Sequence, residues 1–129
     1  MAVRPRLDGN AILTGAAVGF VIAVVALLIW EAVTAAFDID SAALDFLSFA
    51  VVVGGWVTAG WVAGRREPQA PYTHALLAAL LSFVPIALFG IVFSVARGNA
   101  VRAVEMVFNA IVAACGGLAG GVIAERRQR

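Results

Sequence analysis

Few residues in this chain could do chemistry, and their placing says which chemistry is open to them. The single histidine, His74, stands beside Tyr72 just before a long apolar run. A lone histidine in that position is either a helix-boundary residue or, with its ring titrating near neutrality, a pH sensor; the boundary reading is preferred. The single cysteine, Cys115, sits inside an apolar run and reads as a small packing residue, and one cysteine cannot form an internal disulfide. Asp38, Asp40 and Asp45 lie close in sequence and could together approach Ca²⁺, but they lack a calcium-loop signature. Helix capping by Asp40 or Ser41, with Asp45 near a helix N-terminus, accounts for them better. No Ser-His-Asp set, metal-ligand cluster or phosphate loop is present, so no catalytic, cofactor or metal site is assigned and no enzymatic activity is expected.

The composition explains where these polar residues must live. Of 129 residues, 63% are hydrophobic and only 13% charged. Soluble domains carry about 45–50% apolar and about 25% charged residues. A core of this size cannot hide so much apolar surface from water, so either lipid or a large partner must cover it, and lipid is the simpler reading. Four runs can span a hydrocarbon core that needs about 20 residues of helix. They cover about 11–30, 46–64, 75–96 and 106–124. Unpaired backbone groups are not tolerated in lipid, which makes the runs helices. The expected fold is therefore all-α: a single membrane domain over 1–129, an integral four-helix bundle. The first run is too long for a cleaved signal peptide, whose apolar region covers about 7–15 residues.

All nine basic residues are arginines. Four spans place Arg4, Arg6, Arg65, Arg66, Arg126, Arg127 and Arg129 on one side, and Arg97 and Arg102 on the other. Short loops rich in Lys and Arg stay in the cytoplasm, which predicts a multi-pass protein of the cell membrane with both termini cytoplasmic. Glu105 is spaced to pair with Arg102 one turn away. The net charge of +1 gives no reason to expect a nucleic-acid partner.

The strongest local pattern is small residues at four-residue spacing: Gly15, Gly19 and Ala23; Gly60 and Gly64; Gly116, Gly120 and Ala124. Parallel ladders run through Gly55, Ala59 and Ala63 and through Gly117 and Gly121. Positions i and i+4 share a helix face, and without side chains there two backbones can approach closely. These ladders serve packing within the bundle, self-association or docking onto a larger membrane complex; the first is preferred. Pro85 stands mid-span, cannot donate to the carbonyl of Leu81 and should kink the third helix. Shifting the second run by 61 positions lays Gly55 on Gly116, Gly60 on Gly121 and Arg65-Arg66 on Arg126-Arg127. That suggests two tandem helical hairpins related by an axis along the membrane normal.

The stretch Gly60-Trp61-Val62-Ala63-Gly64-Arg65-Arg66, followed by Tyr72-Thr73-His74-Ala75-Leu76-Leu77, resembles the YrzE-like family of uncharacterised small four-span membrane proteins. In that pattern the second span ends in Gly-x-x-Ala-Gly-Arg-Lys and Trp-Leu-His-Gly opens the third. This chain differs in having Ala75 where the pattern favours Gly, and Pro71 in the linker. The resemblance implies a four-span layout and groups Gly60, Gly64, Arg65 and His74 in one hairpin; it implies no activity. Two classes of function stay open. One is a structural or accessory subunit that self-associates or joins a larger complex. The other is a small transporter or channel for a neutral or small solute. Against the second, the first span carries no charge from Ala11 to Trp30, and proton coupling needs a titratable group in the membrane.

Overall fold

The computed structural model describes residues 7–37 and 42–128. They form four helices: α1 (Gly9–Phe37), α2 (Ala42–Arg66), α3 (Pro71–Ala96) and α4 (Ala103–Arg126). Each is long and apolar enough to cross a bilayer. The helices outrun the apolar stretches, α1 by nearly two turns beyond Trp30. A helix that leaves lipid has no reason to stop until a cap or breaker ends it. Arg4, Arg6, Arg129, Asp38, Asp40 and Ser41 lie outside the described residues.

The helix ends follow from local chemistry. Asp8 caps α1, its Oδ1 accepting from the Asn10 N–H at 2.9 Å. Pro71 opens α3, where its missing N–H costs nothing. Arg97 closes α3 and Gly98 follows with φ +71, a left-handed conformation that favours glycine. Asn99 N–H donates to the Ser94 carbonyl at 2.8 Å and Gly98 N–H to Val95 at 3.0 Å, a Schellman closure. Glu105 in the first turn of α4 pairs with Arg102 at 2.7 Å. That hydrogen bond, then the attraction of the carboxylate, raises the Arg102 pKa above its ordinary value.

Every pair of helices touches except α1 and α4. The cross-section is thus a rhombus with α2 and α3 on its short diagonal. A two-fold axis relating the hairpins α1–α2 and α3–α4 would make α1–α4 the mate of α2–α3. The first contact is absent and the second present, so the packing lacks that symmetry.

Burial is uneven along the helix axes. The buried residues of α1 run from Ala11 to Ala23, and those of α2 from Gly55 to Gly64. Those of α3 run from Pro71 to Ser82, and those of α4 from Ala113 to Ala124. All of these lie toward one end of the bundle, the sealed end. Toward the other end, here called the splayed end, Leu28, Phe46, Phe89, Phe93 and Phe108 are exposed and grooves open between α1 and α3 and between α3 and α4. The change comes at Pro85 in α3: no residue beyond Ser82 in that helix is buried. The helix itself continues unbroken through the proline to Ala96.

Candidate functional site

The sealed end is built on glycine. A Cβ placed on Gly60 would strike the backbone of Gly117, and one on Gly120 would strike Val57 and Trp61 backbone atoms. On Gly15 it would lie 2.5 Å from the Ala59 carbonyl, and on Gly19 2.7 Å from the Ala59 Cβ. Gly64 faces Ala124 and Pro71, and Gly116 faces the Trp56 Cβ. The six ladder glycines therefore each lie against another helix of this same chain. Gly117 adds a third direction, with Ala75 and Ala79 of α3 closing on it. Helices at van der Waals contact through their backbones gain dispersion without a hydrophobic drive, which lipid does not supply.

Two polar side chains are buried among the described residues, His74 and Ser82. His74 is fully buried. Its Nε2 accepts from the Asp8 N–H at 2.9 Å, so its proton sits on Nδ1, which lies 2.8 Å from the Ala70 carbonyl oxygen. The ring thus ties the cap of α1 to the first turn of α3. The expectation of a simple boundary residue missed this: sequence spacing shows where His74 lies along α3 but not that α1 begins over it. Ser82 Oγ donates to the Ala79 carbonyl at 2.8 Å, and so does not serve the Leu81 carbonyl that Pro85 leaves without its donor. Two indole nitrogens are buried as well, Nε1 of Trp56 and of Trp61, and neither has a hydrogen-bond partner among the described residues.

Around this end the side chains form a collar. Trp61 lies between Arg65, whose guanidinium carbon is 4.8 Å from the ring, and Arg127 at 5.8 Å. It is half-buried, with arginines on two sides. Arg66 donates to Thr14 at 3.2 Å, and the Tyr72 hydroxyl donates to Glu125. Deeper, Trp56 packs edge-on against Phe83, with centroids 6.0 Å apart. Cys115 corrects another expectation: its side chain is exposed on the outer face of α4, not packed inside. Its small-residue neighbours Gly116 and Gly117 take the inward positions.

The splayed end holds a different feature. Between the parallel helices α1 and α3 a groove of about 690 Å³ is walled by Phe20, Val24, Leu27, Ile86, Phe89 and Phe93, with Gly90 on its wall. Glu31 and Arg97 stand at its mouth. Among the described residues no three His, Cys, Asp or Glu side chains are grouped to hold a metal, while two of the three suggested calcium ligands lie outside them.

One family model matches residues 8–124, described as "Protein of unknown function (DUF3792)". No curated protein and no solved structure matches the chain.

Proposed function

From the premise that the chain belongs to this family of proteins of unknown function, we propose that it is a non-enzymatic structural or accessory protein of the cell membrane. The observation that supports this most directly is the sealed end. The four helices meet there backbone to backbone, α1 on α2, α2 on α4 and α4 on α3, and the buried His74 and Ser82 side chains are hydrogen-bonded within the chain. A solute path needs polar groups facing a cavity, and an active site needs a reactive one. What the molecule offers instead is its outer, bilayer-facing surface. Association with a second copy or with a larger membrane complex would use that surface, because the ladder glycines are already occupied inside the bundle. No nucleic-acid partner is proposed.

The sealed end faces the cytoplasm in this proposal. Among the described residues it carries Arg65, Arg66, Arg126 and Arg127, against Arg97 and Arg102 at the splayed end. Reporters fused to each terminus and inserted at Asn99 test the orientation; an external C-terminus would overturn it. The transporter reading draws on one observation, a bundle closed at one end and open at the other with Pro85 between. Flux into proteoliposomes separates the two: the accessory reading expects no uptake above protein-free vesicles, and uptake driven by a proton gradient would replace it. Purification from native membranes, with bound partners identified, tests the accessory role itself.

A further inference from the structure

We propose that the groove between α1 and α3 is a binding site for one phospholipid with a zwitterionic, primary-ammonium headgroup, seated in the leaflet at the splayed end. This goes beyond the accessory role and does not depend on it. Three observations converge.

The first is length. From Phe20 to Glu31, and from Ile86 to Arg97, each wall covers eleven residue steps, roughly 16 Å of helix at about 1.5 Å per residue. A hydrocarbon core of about 30 Å has leaflets of about 15 Å. The groove thus runs from near mid-bilayer to the interface, the path of one acyl chain. The second is lining. The walls are aliphatic and aromatic throughout their depth, and a cavity of about 690 Å³ lies in the usual range for a single ligand of lipid-chain size.

The third is the mouth. Glu31 and Arg97 sit at the same level because α1 and α3 run in the same direction and the Schellman closure ends α3 at Arg97. Among the described residues neither is ion-paired, with the other or with any group: the salt bridge present is Arg102–Glu105. Arg97 rests over the Phe93 ring at 5.7 Å, at the edge of the same groove. One carboxylate and one guanidinium, apart but over one apolar slot, complement a headgroup that carries both signs. Arg97 suits the phosphate through its forked donors, and Glu31 suits an ammonium that can donate hydrogen bonds. An anionic headgroup would satisfy Arg97 and set its charge against Glu31.

Native mass spectrometry of the detergent-purified chain, titrated with dioleoyl phosphatidylethanolamine or dioleoyl phosphatidylglycerol, tests this. One retained phosphatidylethanolamine per chain is expected, bound at least about tenfold more tightly than phosphatidylglycerol. The double variant Glu31→Gln with Arg97→Gln should lose that preference. Gly90→Phe should weaken both lipids by filling the slot; a Cβ on Gly90 meets nothing within 4 Å, so the chain has room for the change. If Gly90→Phe does not fold, the double variant still decides, since both its positions are exposed. Equal, multiple binding of the two lipids, unchanged by the double variant, would overturn the site and leave only ordinary annular lipid. A dimer that excludes lipid and dissociates in Gly90→Phe would overturn it too, in favour of a second copy as the occupant.

Discussion

The two ends of this bundle use the same four helices and much the same apolar alphabet, yet one is closed on itself and the other stands apart. At the sealed end Gly and Ala repeat every fourth residue on facing surfaces, and backbones meet. At the splayed end Leu27, Leu28, Phe89 and Phe93 take the facing positions, and a groove remains. In water both ends would collapse, because burying either set of side chains is favourable. In lipid the apolar side chains are already solvated, so only close contact holds helices together. The comparison teaches that side-chain size, not hydrophobicity, decides which part of such a bundle is core.

That comparison can be broken most sharply at Gly60 and Gly120. Any side chain there runs into the backbone of another helix, which cannot step aside. Gly60→Leu and Gly120→Leu should each lower stability by about 3 kcal/mol or more, at the upper end of overpacking costs. Thermal melting in detergent reads this, with Leu27→Ile as the control expected to move by less than about 1 kcal/mol. Wild-type melting of both leucine variants would remove the packing account.

His74→Phe comes next. It fills the site with an apolar ring but leaves the Asp8 N–H without its imidazole partner, while the Ala70 carbonyl keeps the backbone N–H of residue 74. A loss of about 1–3 kcal/mol is expected, together with faster amide exchange at Asp8 than in the wild type. Unchanged exchange at Asp8 would show that the histidine does not hold α1 to α3.

Gly90→Ala sharpens the comparison from the other side. The same atom that would collide at Gly60 meets open space here. Replacing a helical glycine without a clash should raise stability, by up to about 1 kcal/mol. A loss comparable to that of Gly60→Ala would mean that the splayed end is closed in solution. The smallest effect belongs to Arg102→Ala. Its pair with Glu105 is exposed and screened by water, so the melting temperature should not move measurably despite the good geometry.

Local properties were legible in the sequence. Hydropathy located four spans because a bilayer demands about 20 apolar residues from each, wherever the others go. Charge placement marked the span ends, and the Arg102–Glu105 pair followed from helical spacing alone. The glycine ladders were visible as ladders. Which helix each ladder meets was not, because that depends on how four cylinders rotate about their axes, and hydropathy all round a helix leaves the rotation undetermined. So the structure decided that Gly60 lies on Gly117, that Cys115 faces outward and that His74 is covered by the start of α1. The apparent repeat shows the same limit: two similar hairpins do not have to pack symmetrically, and the missing α1–α4 contact shows that these do not. The groove was least legible of all. Glu31 and Arg97 are 66 positions apart, each the unremarked end of an apolar run. Only the parallel packing of α1 and α3, parted beyond Pro85, brings one carboxylate and one guanidinium over a common apolar slot.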